Sequence, residues 1–297
     1  MINNLIRNSV LECLLNSPKL ANYFLTGNHL MNRAEAPLAE IFGEVVSNAF
    51  AKSNGVEEVS RPLTKFKSTL ERVAPVFEGY AQNDAHEFFR LLIEKIHDEV
   101  NSAPKRSEAY SEFKPSRSAS TLQQKAAEWS KYSTDRDKSL ITSTFGGVLV
   151  NEVICTKCRH VSPTFEDALD LSLNLPSTTG AASSLKHETA TLESCIKEFI
   201  TNEFIQGYSC ENCKKKNVSL KRTTIWKQPE TLVIQLKRFV YDQYGDRKKV
   251  RDPVSFPLDS LILDAFMHER SPDRGGKYKL YGVVNHLGSL DAGHYIA

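Results

Sequence analysis

The chain has 297 residues, 40% hydrophobic and 25% charged, with 14 glycines and 12 prolines. Such proportions exclude a collagen, a coiled-coil rod and a largely disordered chain, and the length allows one large domain or two ordinary ones. With 38 basic and 36 acidic residues the net charge is +2, too small to predict attraction to nucleic acid or anionic lipid.

No apolar run reaches the length of a membrane span, and Met1-Ile-Asn-Asn-Leu-Ile-Arg7 lacks the apolar stretch of a secretory signal. Six cysteines are too few for a disulfide scaffold. Four of them form two Cys-x-x-Cys pairs, which points to metal in a reducing compartment, cytosol or nucleus.

The first hundred residues carry helical periodicity. Leu38, Ile41, Phe42, Val45, Val46, Ala49 and Phe50 form one apolar face just after Pro37. Leu63, Phe66, Leu70 and Val73 form a second, with Ser60 as N-cap, Pro62 near the first turn and Pro75 as the stop. A third helix opens at Asp84, a candidate N-cap with Glu87 three residues on, and Ala85, Phe88, Leu92 and Ile96 line its face. Residues 101–138 break the pattern with eight Ser, eight Lys or Arg and five Asp or Glu, and are expected to be a mobile surface insertion.

Strand patterns follow. Leu169, Leu171, Leu173 and Leu175 alternate with polar residues up to Pro176, and Leu232, Ile234 and Leu236 alternate later. One helix intervenes, with Leu192, Cys195, Ile196, Phe199 and Ile200 on its apolar face, preceded by a polar loop at Ser177–Ala190. Helices first and strands later make an α+β fold.

The cysteine pairs are Cys155-Thr-Lys-Cys158 and Cys210-Glu-Asn-Cys213. Two intervening residues let both thiolates of a pair turn onto one ion, and two pairs complete a tetrahedral Cys₄ site. Strand-like residues before each pair, Glu152–Ile154 and Gly207–Ser209, predict two hairpin tips clasping one zinc. Four protein ligands leave no open position, so the metal reads as structural. Free thiols, a redox pair or a nucleic-acid-binding ribbon are the competing readings. The only compact basic run nearby, Lys214-Lys215-Lys216, is explained as a solvated charge cluster.

Several motifs stand in one order: Gly79-Tyr-Ala-Gln82-Asn-Asp84-Ala-His-Glu87-Phe88, then Phe145-Gly-Gly147, the first knuckle, and Asp170-Leu-Ser-Leu173. The second knuckle, Leu236-Lys-Arg-Phe239, Tyr278–Gly288 and Gly293-His294-Tyr295 follow. Together they resemble the ubiquitin-specific protease family, papain-like cysteine deubiquitinases, from about Asn8 to Ala297. The resemblance implies a single domain shaped as a helical thumb, zinc-bearing β fingers and a β palm. In this chain the thumb would take about residues 1–140, the fingers mainly 145–235 and the palm mainly 236–297. It also implies hydrolysis of the bond after ubiquitin's C-terminal glycine, with ubiquitin and ubiquitinated proteins as partners, and no nucleic acid or membrane.

By the same resemblance His294 is the general base, an imidazole able to take a thiol proton near neutral pH. An ordinary structural histidine is the alternative. Asp84 would hydrogen-bond the arginine-rich ubiquitin tail, a role compatible with its N-cap role. Gln82 and Glu87 lie in the same motif, and His286 falls in a loop bordering the tail channel, where a plain surface histidine is the simpler account. Cys155, Cys158, Cys210 and Cys213 match the zinc ligands, one ion per chain.

The chain departs from the family's pattern at two places, the nucleophile and the C-terminus. Asn8-Ser-Val-Leu-Glu-Cys13-Leu14 matches the segment after the nucleophile, and counting back three residues puts Leu5 where the catalytic cysteine belongs. Cys13 lies eight positions on, roughly 12 Å along a helix, and reads as a core cysteine, as does Cys195. The family's third triad residue falls after the histidine strand, so the palm is expected to be C-terminally incomplete. A truncated or mis-spliced gene explains both departures; a pseudoenzyme that binds ubiquitin explains Leu5.

Overall fold

The structure is a computed structural model that describes residues 2–30, 36–51, 56–78, 84–103, 113–116, 118–175, 189–241, 245–289 and 293–297, with the backbone alone at 2–7, 30, 56–60 and 241. Gln82 with the rest of Gly79–Asn83, and nearly all of the Ser177–Ala190 stretch, lie outside the described residues. The described elements are mixed, as an α+β fold requires. Eight helices are α1 (Ile2–Leu15), α2 (Pro18–Leu25), α3 (Pro37–Phe50), α4 (Val56–Val73), α5 (Ala85–Val100), α6 (Leu122–Arg136), α7 (Leu140–Phe145) and α8 (Leu192–Phe199). The chain divides into two compact units.

One unit joins Met1–Lys105, Asp135–Thr144 and Tyr281–Ala297. Its core is aromatic. Phe24, Phe42 and Phe66 from α2, α3 and α4 are buried in succession, with ring centroids 4.8 Å and 6.2 Å apart, and Phe77 meets Phe88 edge-on at 5.4 Å. Burying each phenyl contributes about 2–3 kcal/mol. Helix α4 begins at Val56, so Ser60 lies inside it rather than capping it, and Pro62 is an interior residue. An interior proline forfeits a backbone bond. Here Pro62, Phe66 and Leu70 form one buried stripe, and that packing carries the helix through. Helix α3 has no side-chain cap of its own; Glu99 of α5 accepts from the amides of Leu38 (3.2 Å) and Ala39 (2.7 Å) instead. A carboxylate there satisfies two orphan donors and complements the helix dipole.

The other unit joins Arg106–Thr134 and Phe145–Leu280. Its main sheet has the order β2 (Val161–Ala168), β1 (Gly147–Cys155), β6 (Lys216–Lys227), β5 (Glu203–Ser209), antiparallel throughout. Alternation along β1 sends Leu149 and Val150 to different cores. Val150 joins Phe165, Trp226, Leu122 and Ala126, whereas Leu149 joins Ile225, Leu192, Cys195 and Ile196. Helix α6 therefore packs on the sheet although it falls within residues 101–138, the stretch expected to be a mobile surface insertion. Leu122, Ala126 and Trp129 supply its apolar stripe, and Asp167 ties it down through Trp129 Nε1 (3.1 Å) and Ser133 Oγ (2.8 Å).

The leucine alternations resolve into two short strands. β3 (Leu171–Leu173) and β4 (Ala190–Thr191) precede α8; β7 (Ile234–Leu236) pairs parallel with β3. Helix α8 buries Leu192, Cys195 and Ile196, and a Thr191–Ser194 capping box opens it. The remaining strands of this unit are β8 (Phe239–Tyr241), β9 (Arg247–Lys249), β10 (Val254–Ser255), β11 (Leu261–Ile262) and β12 (Lys277–Tyr278). The first unit adds β13 (Asn285–Gly288) and β14 (Gly293–Ile296), an antiparallel pair.

Candidate functional site

The site in the helical unit is built where β14 and the start of α5 meet. Asp84 has extended backbone (φ −79°, ψ 135°), and its Oδ1 accepts from the His86 amide at 2.6 Å. The expected cap is present, with the bond made to the second helical residue. Along β14 the exposure alternates: Gly293 and Tyr295 face inward while His294 and Ile296 face out. Tyr295 reaches the α5 terminus, where the Ala85 amide donates to its phenol oxygen. Burial, and secondarily the Asp84 charge, push that phenol up to about 12, so it stays protonated.

On the facing strand His286 is the register partner of Tyr295, with ring centroids 4.6 Å apart. Its imidazole also covers Gly293: a Cβ there would overlap Nε2 and stand 2.6 Å from Cε1. Glycine is therefore needed for close approach rather than for an unusual dihedral. His286 is thus a packed, half-buried residue and not a plain surface one. His294, paired with Leu287, is exposed on the other face of β14. Glu87 is exposed on α5. Leu5 lies within α1, and α1 packs against β14. Cys13 is half-buried, with Sγ 2.9 Å from where a Cβ of Gly282 would stand, and burial, then Glu12, raises its thiol pKa. A thiol so held is a poor nucleophile.

Asp84, His286, Gly293 and Tyr295 are thus brought together, with His294 adjoining. Tyr295 was given no role in the sequence reading. The available signal is strand alternation: the neighbour of an outward histidine must point inward.

The second constellation lies in the sheet unit. Cys155 ends β1 and Cys158 sits in the turn before β2, while Cys210 and Cys213 occupy the turn between β5 and β6. The two hairpin tips therefore meet as the spacing predicts. All four Sγ atoms lie within 4.8 Å of one another, with Cys155–Cys213 at 3.9 Å and Cys158–Cys210 at 3.6 Å. Those separations exclude disulfides, whose sulfurs are about 2.05 Å apart. They match the roughly 3.8 Å edge of a tetrahedron with Zn–S near 2.3 Å.

Neighbouring donors favour the thiolate at Cys155 and Cys158. The Cys158 amide is the main cause that lowers Cys155 to about 6, and the Asn217 amide donates to Cys155 Sγ at 3.3 Å. The Asn212 side chain chiefly lowers Cys158. For Cys213 the Lys215 amide pulls down, but burial and the crowded sulfurs outweigh it and push the thiol up to about 11. Holding four thiolates together therefore calls for a cation. The residues present fit a tetrahedral divalent ion.

Comparison with known proteins agrees with this architecture. The family model described as ubiquitin carboxyl-terminal hydrolase matches residues 3–297. Ubiquitin carboxyl-terminal hydrolase 2 of Bos taurus is 31% identical over 307 residues, covering 99% of this chain and 47% of the relative. Ubiquitin carboxyl-terminal hydrolase 21 of Homo sapiens is 31% identical over 320 residues, covering 99% and 54%. The chain thus spans about half the length of these curated relatives. Among solved structures, the SAGA DUB module with Ubp8, Sgf11, Sus1 and Sgf73 bound to monoubiquitin is similar at TM-score 0.75 and 23% identity, covering 99% of this chain and 59% of that one. The same module bound to ubiquitin aldehyde gives TM-score 0.73 at 22% identity, covering 99% and 59%. The α+β fold with its paired knuckles and the match across almost every residue make this chain a member of the ubiquitin-specific protease family of ubiquitin carboxyl-terminal hydrolases.

Proposed function

We propose that the protein recognises ubiquitin through a fold built for cysteine-type hydrolysis after ubiquitin's C-terminal glycine, with Leu5 standing where the nucleophile belongs. The observation that carries this reading is the meeting of β14, which bears His294, with the Asp84 terminus of α5 through Tyr295, in a chain matched to the family from residue 3 to 297. Asp84 offers a carboxylate to an arginine of the ubiquitin tail. In a chain with cysteine at position 5, His294 would accept the thiol proton and the thiolate would attack the glycine carbonyl. The imidazolium would then protonate the departing amine, leaving an acyl-enzyme that water hydrolyses with the neutral histidine again as base. Leucine has no atom able to perform the attack. Zinc, held by Cys155, Cys158, Cys210 and Cys213, would brace the two hairpins without touching the reaction.

The test uses ubiquitin carrying a thiol-reactive group at its C-terminus, with adducts read by mass spectrometry and binding by calorimetry. The chain as it stands should bind ubiquitin without forming an adduct, and Leu5→Cys should form one that His294→Ala slows. Ubiquitin binding without any adduct from Leu5→Cys supports the second reading, a ubiquitin-binding pseudoenzyme, which Leu5 itself favours. An adduct from the unaltered chain displaces Leu5 from the nucleophile position. Failure of both proteins to bind ubiquitin overturns both readings.

A further inference from the structure

The two knuckles have the same local fold. Arg159 N–H donates to the Cys155 carbonyl (3.0 Å) and Lys214 N–H to the Cys210 carbonyl (2.8 Å). The Cys155 and Cys210 amides donate onward to His160 (2.9 Å) and Lys215 (3.2 Å). In each knuckle the residue after the second cysteine is left-handed: Arg159 at φ 59° and Lys214 at φ 57°. Among the described residues these are the only non-glycine positions with positive φ. Glycine would sit there without penalty, whereas an L-residue costs about 1–2 kcal/mol. Both strained positions hold a cation.

The clasp of the hairpins gathers more charge than either loop shows alone. Lys157, Arg159, Lys214, Lys215 and Lys216 are all exposed, against the single carboxylate of Glu211 in the two loops. None of the five forms an ion pair with a described residue, although Lys221 in the same sheet pairs with Glu203 at 2.8 Å. Cys155 and Cys210 are 0% and 1% exposed and Cys158 and Cys213 half-buried, whereas the five cations stand in solvent. Five exposed cations, two of them held at a conformational cost, make this tip a strongly positive surface.

We propose that the knuckle tip docks an acidic segment of a partner protein, a run of Asp or Glu side chains. Nucleic acid fits less well. The two loops hold no Phe, Tyr or Trp on which a base could stack, and the chain as a whole has a net charge of only +2, with no extended basic stripe. Four flexible lysine arms and one guanidinium at one tip suit a compact cluster of carboxylates, attracted on approach and screened by salt. The proposal is independent of Leu5 and of the hydrolytic reading.

The test is fluorescence anisotropy of a labelled oligo-glutamate peptide with the full chain loaded with zinc, run beside oligo-glutamine and single-stranded oligothymidine. Oligo-glutamate should bind at low salt and weaken as salt rises, and oligo-glutamine should not bind. The pair Arg159→Gly and Lys214→Gly removes two cations and relieves the backbone. It should weaken binding about ten-fold while the protein, at equal zinc content, melts no lower than before. Lys157→Glu with Lys216→Glu, at positions of ordinary backbone, should abolish binding. Unchanged affinity in both variants, or no binding of oligo-glutamate at all, overturns the proposal. Tighter binding of oligothymidine than of oligo-glutamate overturns the choice of partner.

Discussion

Replacing Gly293 by alanine tests the close approach between the strand of His294 and the His286 ring. The added methyl would overlap Nε2 and lie 2.6 Å and 2.9 Å from Cε1 and Cδ2, well inside the roughly 3.5–4.0 Å of ordinary carbon contact. The imidazole is braced by Tyr295 at 4.6 Å, so it cannot yield without leaving that partner. Overpacking of this kind costs about 1–3 kcal/mol. In a His286→Ala background the obstructing ring is gone, and the same alanine should cost only a few tenths. The cycle should therefore show a coupling of about 1–2 kcal/mol, above the roughly 0.3–0.5 kcal/mol scatter of independent sites. Both residues belong to the helical unit, whereas Trp129 and Trp226 lie in the other, so denaturant unfolding should be followed by helical circular dichroism rather than tryptophan emission. Additive costs, or an unaffected Gly293→Ala single variant, would refute the packing argument.

Asp84→Ala should lower stability by about 1 kcal/mol through loss of the 2.6 Å cap, while Asp84→Asn keeps the cap. If the charge also grips ubiquitin, calorimetry should show both variants weakened; unchanged affinity in Asp84→Asn would leave only the cap. Zinc analysis should return one ion per chain and substantially less for Cys155→Ser, with the chelated protein losing stability in the sheet unit because ion binding there is folding energy. Full metal content in Cys155→Ser would remove the shared site. Burial holds His268 below the usual 6.5, with Glu152 opposing and Arg222 assisting. As pH falls below 6.5 the unfolded chain gains its proton first, so this residue should cost the sheet unit up to about 1.4 kcal/mol per pH unit until its own lowered value is reached, with no further loss below that and none above 6.5. His268→Gln should flatten the slope in tryptophan-detected unfolding, since Trp226 lies 5.7 Å away; an identical slope would count against it.

Features set by local spacing were legible. The Asp84 cap, the α8 face and the two Cys-x-x-Cys turns each depend on a few neighbouring residues, and each stands where the pattern puts it. Helix α6 was hidden because its stripe of Leu122, Ala126 and Trp129 is diluted by serines and charges, and only the surface of Val150, Phe165 and Trp226 gives it a partner. The start of α4 was misplaced because Pro62 is a breaker by propensity and a core residue by tertiary packing. The placement of His286 over Gly293 and of Tyr295 beside Asp84 depends on register and chain crossing, as does the union of Lys157 and Arg159 with Lys214–Lys216. No single stretch of sequence carries that information.

The helical unit is assembled from three separate stretches of chain, and its β14 lies against α1 although the two come from residues 293–296 and 2–15. During synthesis these helices emerge before the sheet unit and must wait, with the face meant for β14 uncovered, while that unit is made. Long-range closure of this kind is slow, because the loop entropy is lost before the contacts reward it. The site around Asp84 and His294 should therefore be completed only after the sheet unit has been made, and until then the uncovered face of the helices is open to misassembly.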